Sequence, residues 1–260
     1  MNYETLSVTL DARGVAYVTL DLPAKRNALS ALMIAELTGL AQDLGAKDTT
    51  RAIVLSGAGK VFCAGGDLTW MQAQIAADRA ERMAEARKLA MMLNALNEMP
   101  TPLIGRLHGG AYGGGVGLAC VCDVAIAAAS CQFGFTETRL GLIPATIGPY
   151  VVARMGEGLA RRVFMSSRIF DAAEARDMGI VARVVSDDAL DAAIEAEVVP
   201  YLSVAPQAVG ASKSLARSLG PRIDAAVIDD TIRRLADTWE GEEAAHGIDA
   251  FLSRTPARWS

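Results

Sequence analysis

The stretch Leu103-Ile104-Gly105-Arg106-Leu107, then His108-Gly109-Gly110-Ala111-Tyr112-Gly113-Gly114-Gly115-Val116-Gly117-Leu118-Ala119-Cys120-Val121-Cys122, then Asp123-Val124-Ala125-Ile126-Ala127-Ala128 decides the fold. It reads as a strand, a glycine loop running into an apolar helix, and a returning strand. Upstream the same grammar holds. Glu4 to Leu10 and Val15 to Asp21 are β-rich runs around Asp11-Ala12-Arg13-Gly14, which predicts an antiparallel hairpin. Asn27 and Ser30 offer caps, and Leu29, Met33, Leu37, Leu40 and Leu44 recur at helical spacing until Gly45. Ala52 to Ser56 reads as a short buried strand, and Val61 to Gly66 leads into a glycine turn. Residues 73 to 98, free of Gly and Pro, predict one long helix ending before Pro100. Strands separated by helices imply an α/β chain with crossover connections to about residue 185, where Ala182 to Val185 is the last strand-like run.

Beyond Asp187 the pattern changes. Leu190 to Leu202, Pro206 to Ser218, Arg222 to Trp239 and Glu242 to Leu252 all have helical composition, so the expected organisation is an α/β core over residues 1–186 and an all-helical region over 187–260. The 260 residues suffice to bury a full core, and 52% hydrophobic against 21% charged residues is the balance of an ordinary globule. The net charge of -5, with no Lys/Arg stripe, argues against nucleic-acid binding. The apolar run Gly109 to Cys122 is too short and too glycine-rich for a bilayer span, so no membrane association is expected. The four cysteines, Cys63, Cys120, Cys122 and Cys131, read as small buried hydrophobes, and with no signal-peptide pattern upstream the expected location is the reducing cytoplasm.

The titratable inventory narrows the chemistry. Only His108 and His246 occur, with no H-E-x-x-H, so no metal site is expected. No G-x-S-x-G elbow is present, and the glycine run matches neither a dinucleotide fingerprint nor a phosphate loop. Two readings of that run stay open: glycines before a helix leave bare N–H groups at a positive helix end, suited to a developing oxyanion, or they allow close helix-to-strand packing. Phe62-Cys63-Ala64-Gly65-Gly66-Asp67 is a second glycine turn able to aim an N–H outward. The candidate acid is Glu137, set in the apolar stretch Phe133-Gly134-Phe135-Thr136-Glu137-Thr138-Arg139-Leu140-Gly141; burial would raise its pKa toward the working pH, whereas a structural role beside Arg139 is the plainer alternative.

Together, Pro23-Ala24-Lys25-Arg26-Asn27-Ala28-Leu29-Ser30, Phe62 to Leu68, Gly113-Gly114-Gly115-Val116-Gly117-Leu118-Ala119, Cys122 to Ala127 and Glu137 to Pro144 resemble the successive motifs of the crotonase superfamily, the enoyl-CoA hydratases and isomerases. Ser167 to Ala175, Met178 to Val181 and Gly247 to Leu252 extend the likeness over nearly the whole chain. The resemblance implies a crotonase-like spiral of repeated ββα units, a C-terminal helical region that trimerises, often as a dimer of trimers, and an acyl-CoA thioester substrate, with coenzyme A carried on the substrate and no further cofactor. It implies catalytic roles for Glu137 and for the backbone N–H groups of Gly66 and Gly114 as the oxyanion hole. Ala64, Gly66, Asp67 and Leu68 would line the CoA groove, with Lys25, Arg26 and Ala28 along the same ligand. A plain solvated pair is the alternative reading of Lys25 and Arg26.

One departure matters. Two-carboxylate hydratases of this superfamily carry a first glutamate where this chain has Gly117, leaving Glu137 alone. Three readings follow: a hydratase in which Glu137 alone handles water, a Δ3,Δ2-enoyl-CoA isomerase in which it shuttles a proton between two carbons, or a non-catalytic acyl-CoA binder. The hydratase is favoured by similarity of Glu137 to Ala145 and Pro149 to Gly156 to members acting on branched or glutaconyl-type enoyl-CoA. Gly117 either permits close packing or enlarges the acyl pocket. Tyr112, Phe135, Ile143, Tyr150 and Phe251 are pocket or interface candidates, with simple core the favoured reading of each.

Overall fold

The computed structural model describes residues 3–260, so the first two residues of the expected 1–186 core lie outside the described residues. Strands β1 (Leu6–Leu10) and β2 (Val15–Leu20) form the expected antiparallel hairpin. Helix α1 (Ala31–Asp43) starts at the Ser30 N-cap, whose side chain accepts the Met33 N–H. Then come β3 (Ala52–Gly57), α2 (Leu68–Ala76), α3 (Arg79–Glu98), β4 (Leu103–Leu107), β5 (Gly110–Tyr112), α4 (Gly114–Val121), β6 (Val124–Ala128) and β7 (Gln132–Gly134). Helices α5 (Gly148–Met155) and α6 (Glu157–Phe164), strand β8 (Ile169–Asp171), helix α7 (Ala172–Asp177) and strand β9 (Arg183–Val185) complete the α/β part.

The main sheet has the order β1-β2-β3-β4-β6-β9, parallel except for β1. Its two faces follow the period of two along each strand. Ile53 and Leu55 face the large core beneath α1, α3 and α4, while Ala52 and Val54 face Leu190, Ile194 and Val198 of α8 (Leu190–Val198) on the other side. Both faces are thus covered, as a parallel sheet requires. A second sheet, β5-β7-β8, escapes a reading from sequence because each strand has three residues, too few to show a period.

Residues 73 to 98 do not form the single helix expected. The chain breaks at Ala77 and restarts at Asp78, whose carboxylate accepts the Glu81 N–H while the Glu81 side chain accepts the Asp78 N–H. Arg82 closes the break by donating to the Gln74 and Ile75 carbonyls at 2.7 and 3.2 Å, using the orphan acceptors at the end of α2.

After α8 a 3-10 turn covers Val199–Ser203, so the expected Leu190 to Leu202 helix stops at the residue before Pro200-containing turn geometry takes over. Helices α9 (Pro206–Ser218), α10 (Ala225–Trp239) and α11 (Glu242–Ser253) follow, α10 starting three residues later than read because Asp224 caps it. A third apolar cluster joins Ala86 and Ala90 of α3 to Leu142, Ala145, Ile232 and Ile248, which fixes α10 and α11 beside the segment after Glu137.

Candidate active site

Three loops are stitched edge to edge. The Ala64 N–H donates to the Arg26 carbonyl at 3.0 Å, the Leu29 N–H to Gly65 at 2.7 Å, and the Asp67 N–H to Leu29 at 3.2 Å. On the other side the Cys63 N–H donates to Gly110 at 3.1 Å and the Tyr112 N–H to Cys63 at 3.0 Å. Segments 26–29, 63–67 and 110–114 therefore lie side by side. Leu29 pairs with Gly66 in parallel fashion through bonds made by the neighbours of Gly66, so the Gly66 N–H points away from Leu29.

Gly114 is the first residue of α4, where an N–H has no intrahelical acceptor. Among the described residues neither the Gly66 nor the Gly114 N–H donates to another backbone group. The two turns touch: a Cβ on Gly65 would stand 3.7 Å from the Gly114 nitrogen. Gly113 holds φ 48 and ψ -114, a conformation that glycine alone adopts readily, and its N–H donates to Gly134 at 2.9 Å.

Glu137 opens the 3-10 turn Glu137–Leu140, which follows β7 after Phe135 and Thr136. Its Oε1 would lie 3.0 Å from a Cβ on Gly113, so the carboxyl stands over the start of α4. The residue as a whole is half-buried, yet Oε2 is shut from solvent and without a hydrogen-bond partner among the described residues. Burial pushes the carboxyl up to about 7, partly offset by the backbone N–H groups of Glu137 itself and Thr136. A side-chain oxygen left unpaired in a dry place is costly in a purely structural residue, which favours the chemical reading over pairing with Arg139. The Arg139 guanidinium instead donates to the Ser167 carbonyl at 2.8 Å.

The remaining candidates divide. Ala28, Ala64, Gly66, Asp67 and Leu68 line the same stitched loops as Gly114. Asp67 is buried and committed: one oxygen accepts the Thr69 and Trp70 N–H groups as the N-cap of α2, the other meets the Lys25 ammonium at 3.2 Å. Those contacts hold its carboxyl below the usual range despite burial. Lys25 and Arg26 are exposed, Arg26 in the left-handed region with φ 54. Leu68 is exposed at the start of α2, and the Trp70 ring comes within 4.0 Å of where a Gly66 Cβ would be.

Gly117 does not open a pocket. A Cβ there would meet Ile147 Cγ2 at 2.6 Å and Leu93 Cδ1 at 3.4 Å, so the packing alternative is the one the structure shows. Phe135 and Tyr150 are core, the Tyr150 hydroxyl donating to the Ala90 carbonyl at 2.7 Å, while Phe251 is exposed. All four cysteines are free and buried, and burial pushes their thiols up to about 12.

Asn27, read from sequence only as a cap, is the residue that ties these loops together. Fully buried, its amide donates to the Ala58 and Val61 carbonyls at 2.8 and 2.9 Å, and its oxygen accepts the Leu22 N–H at 3.0 Å. The Arg-Asn pair before an apolar helix, both at positive φ, is the available signal.

This combination of a mostly parallel sheet, two abutting glycine turns and one dry carboxyl is the architecture of an acyl-CoA enzyme of the crotonase type. The family described as Enoyl-CoA hydratase/isomerase matches residues 11–260, and the chain belongs to that family of enzymes. The "Probable enoyl-CoA hydratase" of Rhizobium meliloti is 34% identical, covering 100% of this chain and 99% of the relative. An enoyl-CoA hydratase structure from Shewanella pealeana superposes with TM-score 0.81 at 36% identity over 99% of this chain and 97% of the other. The structure of Pseudomonas aeruginosa AtuE gives TM-score 0.80 at 38% identity, over 98% and 99% of the two chains. Among the described residues no helix is long and apolar enough to cross a membrane.

Proposed function

We propose that the chain is an enoyl-CoA hydratase in which Glu137 is the sole acid-base group, acting on a branched or glutaconyl-type enoyl-CoA. The observation that carries this reading is the buried, unpartnered Glu137 oxygen above the Gly113-Gly114 helix start. In this mechanism the thioester carbonyl accepts from the Gly66 and Gly114 N–H groups, which withdraws electrons from the conjugated double bond. Glu137, ionised, removes a proton from water as its oxygen bonds to the β-carbon, and the electron pair moves to the carbonyl oxygen as an enolate. The protonated Glu137 then delivers that proton to the α-carbon, and the carboxylate is restored. A pKa near 7 suits a group that must accept and return one proton near neutrality.

The acyl-CoA is held along Ala64, Gly66, Asp67 and Leu68, with Lys25, Arg26 and Ala28 beside it, and no additional cofactor takes part. The reading includes a cytoplasmic enzyme, consistent with four free thiols, and a homotrimer or dimer of trimers built on residues 187–260. In support of the latter, α9 buries none of its residues within one chain, and Leu215 and Leu219 are exposed.

One observation favours a second reading, the Δ3,Δ2-enoyl-CoA isomerase. Ile147 and Leu93 fill the space beside Gly117, so the position where a second carboxylate would hold water is apolar. A panel of enoyl-CoA thioesters, followed at the enoyl absorbance for water addition and by product analysis for double-bond migration, separates the two. The hydratase reading expects loss of conjugated absorbance with a 3-hydroxyacyl product; migration without hydration would replace it with the isomerase.

A further inference from the structure

We infer that the C-terminal helix α11 is a positioning element for the Glu137 carboxyl, acting through Gly247; this rests on Glu137 being the acid-base group. Gly141 ends the Glu137 turn at φ 69, and its N–H and that of Leu142 both donate to the Glu137 carbonyl. Any displacement of residues 140–142 is therefore passed directly to the backbone of Glu137.

That segment is seated on α11 by backbone at two points about one helical turn apart. A Cβ on Gly141 would stand 2.6 Å from the Ala244 nitrogen, and a Cβ on Gly247 would stand 2.7 Å from the Leu140 carbonyl carbon and 2.8 Å from its oxygen. Both obstacles are main-chain atoms, which cannot swing aside as a side chain can. On the opposite flank the turn is held by the Thr138 and Ser167 hydroxyls, which are hydrogen-bonded, and by Arg139 donating to the Ser167 carbonyl. Helix α11 is itself anchored by the fully buried Ala244 and Ile248. The turn is thus gripped between residue 167 and a helix that begins about a hundred residues downstream of it.

One methyl group at Gly247 must push helix and turn apart by on the order of 1 Å to restore ordinary carbon contact distances. Misplacement of a reacting group by that distance costs on the order of 100-fold in rate. Separation also admits water to the carboxyl, so its pKa moves down from about 7 toward the ordinary 4.5.

The test measures kcat, KM and the pH dependence of kcat with crotonyl-CoA, or with the best thioester of the panel, for the full-length wild type, Gly247→Ala, Ala244→Gly, Ile194→Val and Gly158→Ala. Gly247→Ala is expected to lower kcat roughly 10- to 100-fold with KM within about 3-fold, and to move the acid limb of the profile to lower pH. Ala244→Gly, which removes a buried methyl anchoring α11 at the point where Gly141 rests on its backbone, is expected to shift the limb in the same direction. Ile194→Val weakens the separate cluster on the far face of the main sheet, and Gly158 has open space around its Cβ position, so both should keep the wild-type limb. A folded Gly247→Ala protein with wild-type kcat and limb overturns the inference. If Gly247→Ala does not fold, a wild-type profile in Ala244→Gly overturns it instead. Glu137→Gln in parallel distinguishes the two levels: an active Glu137→Gln protein removes the acid-base reading itself, whereas an inactive one beside a wild-type Gly247→Ala protein removes only the role of α11.

Discussion

Replacing Glu137 by Gln should stabilise the folded protein, and should do so only above the ordinary carboxylate range. Gln keeps the shape of the side chain and cannot ionise. Burial sets the Glu137 carboxyl at about 7 in the fold, against an ordinary 4.5. Because the folded value is the higher one, the protonated carboxyl favours folding below pH 4.5, and that advantage disappears as pH rises through 7. With 1.36 kcal/mol for each pKa unit, the ionised carboxylate costs the wild type about 3 kcal/mol at pH 8.5, about 1 kcal/mol at pH 5.5 and almost nothing at pH 4. For a chain of this size a gain of about 3 kcal/mol raises Tm by roughly 6 °C or more. Thermal and urea unfolding of both proteins, at one protein concentration and in steps from pH 4 to 8.5, reads the difference. A gap between variant and wild type that opens toward alkaline pH supports the burial argument. A constant gap, or one that opens toward acid pH, would show that the carboxyl is solvated or paired in solution.

Other outcomes follow from the same structure. Asn27→Ala removes the buried amide that joins Leu22, Ala58 and Val61, and urea unfolding should show a loss of about 2–4 kcal/mol. Asp78→Ala dissolves the reciprocal cap at the start of α3 and should cost about 1 kcal/mol in the same assay, with no such loss for an exposed substitution such as Asp177→Ala. Gly117→Glu drives a side chain into Ile147, so it should destabilise by at least roughly 1–3 kcal/mol without raising hydration, and Ile147→Ala should recover much of the stability. The four thiols, held near 12 by burial, should not react with a thiol reagent at pH 8 until the protein unfolds; fast labelling of the native state would contradict their placement.

Long-period patterns made much of this molecule legible. Apart from the three-residue β9, which was legible through its β-branched composition, the hairpin, α1, the strands β3, β4 and β6, and the helical tail all carry several residues of regular spacing, and each lies where the spacing puts it within a few residues. The short strands β7 and β8 do not, because three residues pair through a partner that lies elsewhere in the chain. The break between α2 and α3 was written in Asp78-Arg79-Ala80-Glu81, a cap signature masked by the strong helix formers on both sides. At the site, the glycine turns and Glu137 stood out as residues. The reason their loops lie side by side did not, because it depends on Asn27 and on backbone bonds between segments far apart in sequence. The filling of the Gly117 space by Ile147 is likewise a tertiary fact: a residue thirty positions downstream supplies the apolar volume. The seating of the Glu137 turn on Gly247 belongs to the same class.

The central claim is that one carboxyl carries the proton. Steady-state turnover of the best enoyl-CoA thioester by Glu137→Gln, with folding verified by circular dichroism and thioester binding by fluorescence, tests it most directly. The account predicts unchanged binding with turnover reduced by about a thousandfold or more, near the upper part of the range for loss of an acid-base group. A Glu137→Gln protein that binds the thioester and turns it over at close to the wild-type rate would contradict it.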